Sequence, residues 1–535
     1  MDILDEIIER RKADIARLGY EYGCDVPKKR DVCVRKFLAE RGAILEVKRA
    51  SPSKGDISPN LDAAKTALEY AKSGARAISV LTEKNYFKGS LDDLIAVRAV
   101  LDEYAAQTGN DVPAVLRKDF LCEVQDIDVA YRAGADAVLL IARILTKEQF
   151  CEMAKKVCEF EMSALIEVRE LEDIEKLQYV FSRVNDVGNF VCGVNSRDLR
   201  DFSIDMLVPA KMFSSIKKIS PNAKVVFESG IQSPQCATAV SAMGFDEFLM
   251  GEAAARNPEI TRKYVRSFEE TKPSVQGKFW LRIASRLQKK ERAKKNPLVK
   301  ICGITRMQDA ILVSELGADF VGFVFCKKSP RNVNANFVEE ARRELQEKFG
   351  EKMPLFVAVV TELEGDEWNA ALDLSRRKIV DAIQFHGIAP SDMKQQYLDV
   401  AHFVAANVSC EQDLLKLDEF LKGGEFRVLI DSRSASEVGG TGIRVDEKLV
   451  FACKEKSRLW LAGGITAENI SEITERFSPE LIDAMGSGKG ASLYRHGRGQ
   501  RRQRRRFCSP GRPWGPSGLS LPVPGAHARR IGLRH

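Results

Sequence analysis

Residues 135–167 read ADAVLLIARILTKEQFCEMAKKVCEFEMSALIE: a short apolar run, a longer helical stretch, and a second short apolar run. The runs Ala135–Ile141 and Ser163–Glu167 are continuous rather than alternating in their apolarity, as befits strands covered on both faces. The unit recurs in both directions. Upstream lie Ala43–Lys48, Ala75–Leu81 and Ala114–Lys118; downstream lie Phe190–Asn195, Lys224–Glu228 and Glu247–Gly251. Eight such runs with helices between them predict an α/β fold, a closed parallel (β/α)8 barrel. An open doubly wound sheet is the alternative, and the lack of GxGxxG after the first run counts against its dinucleotide-binding form.

The rhythm then restarts with Leu298–Cys302, Ala318–Phe325, Leu355–Val360, Ala382–His386, His402–Ala406, Arg427–Asp431, Leu459–Ala462 and Leu481–Ala484. The halves share architecture without obvious sequence identity, so the chain predicts two consecutive (β/α)8 TIM barrels. Its 535 residues, 44% hydrophobic and 30% charged, suit two or three cores. The boundaries read as 1–258 for the first barrel, 259–296 for a connector, 297–488 for the second barrel and 489–535 for a tail. Ile3, Leu4, Ile7, Ile8, Ile15 and Leu18 recur at helical spacing and predict an extra amphipathic helix ahead of the first barrel. The connector is helical and strongly basic. Its Phe279, Trp280, Ile283 and Leu287 predict a linker helix that packs, in preference to an RNA-binding arm.

Charge is unevenly placed. The formal net charge is +7, but residues from Lys489 onward carry +12 and the connector +8, which leaves −13 on the rest. An acidic globular part speaks against general nucleic-acid binding by it. Beyond Gly488 the Arg/Gly/Pro-rich sequence has no hydrophobic periodicity and predicts a disordered tail. Because it begins where a last barrel helix is due, a shifted reading frame is the favoured origin and a nucleic-acid-binding tail the other. The longest apolar runs, such as Ala137–Ala142, fall far short of the roughly 20 residues that span a bilayer. Asp2, Asp5, Glu6, Glu9, Arg10 and Arg11 exclude an apolar signal-peptide core. Twelve scattered cysteines lack a CxxC pair, and only His386 and His402 precede residue 490. That pattern predicts no metal site, no disulfide framework and a reducing, cytoplasmic setting.

Polar residues close most strands, at the end where (β/α)8 enzymes keep their catalytic groups. The first strand ends Glu46-x-Lys48, two side chains on one face, followed by Arg49-Ala50-Ser51-Pro52-Ser53. Others end Lys118-Asp119-Phe120, Glu167, Asn195-Ser196-Arg197-Asp198, Glu228-Ser229-Gly230 and Gly251-Glu252. One such charge is an ordinary surface group. Five inward-facing ones at a single mouth shift one another's pKa values, as acid–base chemistry requires.

The strings LEVKRASPSKG, LRKDF, LIEV, GVNSRDL and ESGI stand in order at these strand ends, and over about residues 1–258 the chain resembles indole-3-glycerol-phosphate synthases. The resemblance implies ring closure of 1-(2-carboxyphenylamino)-1-deoxyribulose 5-phosphate to indole-3-glycerol phosphate, with loss of carbon dioxide and water. It implies Lys118 as general acid, Lys48 as holder of the substrate carboxylate, and Glu46 and Glu167 as acid–base partners for dehydration. Asn195, Arg197, Glu228 and Ser229 then position the substrate, with Phe120 beside it. Its phosphate rests on Ser51, Gly230 and Gly251, since glycine turns and helix N-termini offer backbone N–H groups to anions. Family members often carry a serine after the strand-eight glycine; here Glu252 stands there.

The second barrel opens with Lys300-Ile301-Cys302-Gly303-Ile304, and Lys328-Ser329-Pro330-Arg331 follows its second strand. Gln384-Phe385-His386-Gly387 closes the fourth strand and Asp431 the sixth, before Gly439-Gly440-Thr441-Gly442 and Ala462-Gly463-Gly464. Singly these are weak signals. In this order, with KICGIT and QFHG the most specific strings, about residues 297–488 resemble phosphoribosylanthranilate isomerases. The resemblance implies an Amadori rearrangement that makes the first barrel's substrate. Asp431 is then the general acid at the furanose oxygen and Cys302 the general base, a role that needs a thiol pKa lowered towards neutrality. Arg331 orients the anthranilate carboxylate, His386 binds substrate, and Gly440, Gly442, Gly464 and Gly486 form the phosphate nest. The family continues after its last strand into a phosphate-binding helix and a closing helix. This chain passes instead from Asp483-Ala484-Met485-Gly486-Ser487-Gly488 into the arginine-rich stretch, which removes a helix dipole from the phosphate.

The combined expectation is a bifunctional enzyme of tryptophan biosynthesis running two consecutive steps. It acts as a cytoplasmic monomer on small phosphorylated substrates, with no cofactor, metal, nucleic acid or membrane. The alternatives are an active synthase with an inactive or unstable second barrel and, from another class, a nucleic-acid-associated protein using the basic connector and tail.

Overall fold

The computed structural model describes residues 3–198, 200–293, 297–393, 399–431 and 447–485. The expected tail and three of the expected phosphate-nest glycines, Gly440, Gly442 and Gly486, lie outside the described residues.

Eight strands form the first sheet: β1 (Gly42–Val47), β2 (Ala77–Leu81), β3 (Ala114–Lys118), β4 (Ala137–Ile141), β5 (Ser163–Val168), β6 (Phe190–Asn195), β7 (Lys224–Glu228) and β8 (Glu247–Met250). Each pairs in parallel with its sequence neighbour, and β8 closes on β1 from Gly42↔Glu247 to Leu45↔Met250. The second sheet repeats the pattern with β9 (Leu298–Cys302), β10 (Phe320–Phe325), β11 (Leu355–Val360), β12 (Ala382–His386), β13 (His402–Asn407), β14 (Val428–Asp431), β15 (Trp460–Ala462) and β16 (Leu481–Met485). It closes from Leu298↔Leu481 to Cys302↔Met485. Both predicted barrels are present, with strands within a residue or two of the expected runs.

Closure explains the unbroken apolarity: every residue of β1, β2, β4, β5, β6 and β8 is buried. The start of each barrel carries a device that the apolar rhythm does not reveal. Asp136, Asp246, Asp319 and Asp381 each stand one residue before a strand and accept the N–H of the second residue of the preceding strand. Those donors are Val115, Val225, Val299 and Phe356, at 2.9, 2.9, 2.9 and 2.8 Å. Each carboxylate thus satisfies a ladder-end amide that would otherwise lose its partner.

Helix α1 (Ile3–Leu18) is the predicted extra helix, and it lies over the mouth of the first barrel. Leu4 and Ile7 are buried in one cluster with Leu139, Leu165 and Leu249. Arg11 is buried too, with its guanidinium 2.8 Å from Asp119 and 2.5 Å from Asp126. Two further helices, α2 (Val208–Ile219) and α3 (Pro234–Ala242), flank β7.

The stretch 259–296 holds two helices with different attachments. Helix α4 (Thr261–Glu270) packs on α3 and β1, in the place of an eighth barrel helix. Helix α5 (Val275–Arg292), N-capped by Ser274, packs on α2 and on the start of the second barrel. It buries Phe279, Trp280, Ile283 and Leu287. Trp280 meets Phe426 edge-on at 5.6 Å and Trp460 at 5.8 Å, while Phe279 lies parallel to Phe403 at 6.2 Å. Phe403 and Trp460 lie within the first two residues of their strands, so α5 plugs the N-terminal end of the second barrel. Three of its six cations are spent there as well. Arg282 lies 2.8 Å from Asp381 and Lys290 2.8 Å from Asp319, and Arg286 donates to the carbonyls of Asp319 and Met353. Trp280→Ala should therefore cost about 3–5 kcal/mol by emptying this plug, read as a lower midpoint in chemical denaturation.

Candidate active sites

The C-terminal ends of β1–β8 surround a cavity of about 670 Å³. Glu46, Lys48, Lys118, Glu167, Asn195 and Arg197 line it, as do Ser51, Phe120, Ser229, Gly230 and Gly251. Eleven of the twelve residues expected at this mouth thus share one space. Glu228 is the exception: it is buried under the floor and reaches the cavity through Lys118.

Lys118 Nζ lies 2.7 Å from Glu228 Oε2 and 3.9 Å from Glu167 Oε2. Lys48 Nζ lies 3.1 Å from Glu46 Oε1 and 5.2 Å from the face of Phe87. Asn195 Nδ2 is 3.4 Å from Glu167 Oε1, and Asn195 Oδ1 accepts the Arg197 N–H at 2.9 Å. Glu228 can lie across the barrel because β6 carries glycine at 193; a Cβ there would collide with Glu228 Oε1.

Electrostatics divides these groups. Burial works against the Lys118 ammonium, yet Glu228, Glu167 and Glu46 outweigh it and hold its pKa above the ordinary lysine value. Burial likewise opposes the Glu46 carboxylate, but Lys48 and Lys118 prevail and keep it ionised. Glu167 goes the other way: burial, reinforced by the Glu228 charge, pushes its pKa up to about 7. One mouth therefore holds a firm cation and a carboxyl able to gain or lose a proton near neutrality. Glu252 follows Gly251 at the rim of this cavity, with its carboxylate 3.3 Å from Arg256 and 3.9 Å from Arg197.

In the second barrel Cys302 ends β9, Asp431 ends β14 and His386 ends β12. His386 Nε2 lies 3.7 Å from Asp431 Oδ2, and Asp431 is buried. Arg331 packs over Gly303, whose φ of +79° no side chain adopts easily and where a Cβ would strike the Arg331 Cδ. Its Nη1 lies 3.6 Å from Met485 Sδ at the end of β16. Gly464 has a positive φ of 58°, and its carbonyl accepts from Asn469 Nδ2 at 2.8 Å.

The lowered pKa that a Cys302 base needs is not found. Burial pushes the thiol up, Lys300 pulls it down by less, and the net shift is upward. Lys300 is a residue the sequence reading passed over. It is fully buried, with Nζ 2.6 Å from Asp483 Oδ2 and hydrogen-bonded to Cys302. The signal was its i, i+2 spacing from Cys302, the same spacing that singled out Glu46 and Lys48. Phe87 and Arg256 were also missed, since both stand outside the strand-end strings. Among the described residues no group of three His, Cys, Asp or Glu side chains is placed to hold a metal ion.

Charged groups gathered at the C-terminal mouth of a closed parallel barrel define a (β/α)8 enzyme, and this chain carries two such mouths. Residues 4–268 match the family model of indole-3-glycerol phosphate synthase, and residues 299–488 that of N-(5'phosphoribosyl)anthranilate (PRA) isomerase. An indole-3-glycerol phosphate synthase of Bacillus mycoides is 35% identical over 273 residues, covering 51% of this chain and 99% of that protein. A multifunctional tryptophan biosynthesis protein of Phanerodontia chrysosporium is 29% identical over 505 residues, 82% of this chain and 60% of that protein. A tryptophan biosynthesis protein of Phytophthora nicotianae is 28% identical over 530 residues, 90% of this chain and 92% of that protein. The chain belongs to the indole-3-glycerol phosphate synthase family in its first half and to the PRA isomerase family in its second. It spans about 60% of the length of the multifunctional relative from Phanerodontia.

Two measurements follow from the proton affinities. If Glu167 must be ionised for turnover, the first barrel's rate falls as pH drops through about 7. Glu228→Gln removes the largest charge that raises Glu167, so this acidic limb moves to lower pH in the kcat/KM profile. Alkylation of Cys302, followed residue by residue in peptide mass spectra, should stay slow at neutral pH and slow further in Lys300→Met.

Proposed function

We propose that the chain catalyses two consecutive steps of tryptophan biosynthesis. The second barrel isomerises N-(5-phosphoribosyl)anthranilate to 1-(2-carboxyphenylamino)-1-deoxyribulose 5-phosphate. The first barrel then closes the indole ring, releasing carbon dioxide and water to give indole-3-glycerol phosphate. The observation that carries this reading is the Lys118 ammonium held 2.7 Å from Glu228 and 3.9 Å from Glu167 at the first barrel's mouth.

In the first barrel Lys118 presents a proton to the ketone oxygen as the aromatic carbon attacks, and Glu228 keeps the ammonium aimed. Lys48 holds the anthranilate carboxylate until it leaves as carbon dioxide. Glu167 and Glu46 serve the later loss of water: Glu167, suited to it by its near-neutral pKa, starts ionised, takes a proton from the substrate and returns it to the departing hydroxyl. Asn195, Arg197, Ser229 and Phe120 orient the substrate, and Ser51, Gly230 and Gly251 receive the phosphate. Arg197 and Arg256 offset the Glu252 carboxylate there. The synthase unit runs through α4, past residue 258.

In the second barrel Asp431 protonates the furanose oxygen, the ring opens to an imine cation, and Cys302 takes the C2 proton to leave an enolamine that settles as the ketone. Burial favours the Cys302 thiol, so only its deprotonated fraction, which Lys300 stabilises, takes the C2 proton. Arg331 orients the anthranilate carboxylate, His386 lies beside Asp431, and Gly464 belongs to the phosphate nest with Gly440, Gly442 and Gly486. Small phosphorylated substrates are the partners of both mouths. No helix of the described residues is long and apolar enough to cross a membrane. A cytoplasmic monomer without nucleic-acid partners completes the reading.

Separate assays of the two steps test the assignments. Lys118→Ala should lower synthase turnover by about 10²–10⁴-fold and leave isomerase turnover intact, while Cys302→Ala should do the reverse. A wild-type chain without synthase turnover, or a Lys118→Ala variant that retains it, overturns the assignment of the first barrel.

A further inference from the structure

The two barrels are joined by a buried ion-pair chain that the chemistry of neither mouth uses. Arg427, the residue before β14, is 2% exposed. Its Nη2 lies 2.7 Å from Asp205 Oδ1 of the first barrel and its Nε 2.6 Å from Glu480 Oε2 of the second. Glu480 also accepts the Trp460 indole N–H at 2.9 Å. A second cation, Arg458, approaches Asp205 at 3.5 Å, but it is largely exposed.

Asp205 belongs to the loop after β6, which carries site groups on both arms. The Asp205 N–H donates to the Ser196 carbonyl at 3.0 Å, next to Asn195. Asp205 Oδ1 accepts the Leu207 N–H at 3.0 Å, and Arg197 bridges to Ile204 across the loop. Ile204 and Met206, on either side of Asp205, lie against Gly230. Beside this loop Lys456, the last residue of helix α6 (Glu447–Lys456) in the second barrel, lines the first barrel's cavity, held by both oxygens of Asp418 at 2.8 and 2.9 Å.

We propose that Arg427 of the second barrel is a positioning residue for the first barrel's reaction, fixing through Asp205 the loop that aligns Asn195, Arg197 and the wall of Gly230. The proposal rests on the synthase reading above. Without Arg427, Asp205 is a buried carboxylate short of its close cation, and the loop must shift to hydrate it. Such a shift moves the groups that hold the substrate while leaving Lys118 and Glu228, on β3 and β7, in place.

Full-length Arg427→Met, Arg427→Lys and Asp205→Asn proteins test this in steady-state synthase assays. KM should rise about tenfold in Arg427→Met and Asp205→Asn, with kcat within about twofold of wild type and most of the loss recovered in Arg427→Lys. A folded Arg427→Met or Asp205→Asn protein that melts earlier yet keeps the wild-type KM overturns the proposal. If Arg427→Met is insoluble, Asp205→Asn alone decides. Absence of synthase turnover in the wild type is a different result, since it removes the reading beneath.

Discussion

A parallel strand closed into a barrel has no wet face, and this one constraint arranges the rest of the molecule. With β1, β2, β4, β5, β6 and β8 buried throughout, charged groups serve best at strand ends. At the N-terminal ends they serve closure: aspartates cap neighbouring strands, and α5 brings cations to the floor of the second barrel. At the C-terminal ends they serve chemistry. The same separation between stability and activity holds in each half of the chain.

The two mouths solve opposite electrostatic problems. In the first, Lys118 is buried among Glu228, Glu167 and Glu46, so the cation survives burial, while burial and the Glu228 charge push Glu167 up to about 7. In the second, Lys300 is committed to Asp483 at 2.6 Å and spares only part of its charge for Cys302. Burial therefore outweighs Lys300, and the thiol pKa lies above its ordinary value. The first mouth thus holds a carboxyl poised near neutrality, and the second a thiol that burial keeps protonated.

Much of this was legible in the sequence, because closure writes itself as continuous apolar runs and chemistry as the polar residue at the end of each run. Glu46, Lys48, Lys118, Glu167 and Asn195 were readable on those terms. The limits have physical causes. Glu228 ends its strand as a substrate contact would, but Gly193 lets it turn beneath Lys118, a matter of cross-strand space that linear spacing does not express. The aspartates before four strands act on a neighbour some 20 to 25 residues away, and one-dimensional periodicity has no term for that. The stretch 259–296 looked uniform in charge, yet α4 belongs to the first barrel by its packing and α5 to the seam between barrels.

That seam makes the halves physically interdependent through Trp280, Arg427 and the first-barrel loop that Arg427 grips. Whether they are also consecutive in chemistry is the central claim. The most direct measurement feeds the intact protein phosphoribosylanthranilate labelled in its carboxyl carbon and follows both label and product. The account predicts that labelled carbon dioxide and indole-3-glycerol phosphate appear one for one after a lag in which the ketose intermediate rises and falls. Label retained in a soluble product, or no turnover at all, would contradict it.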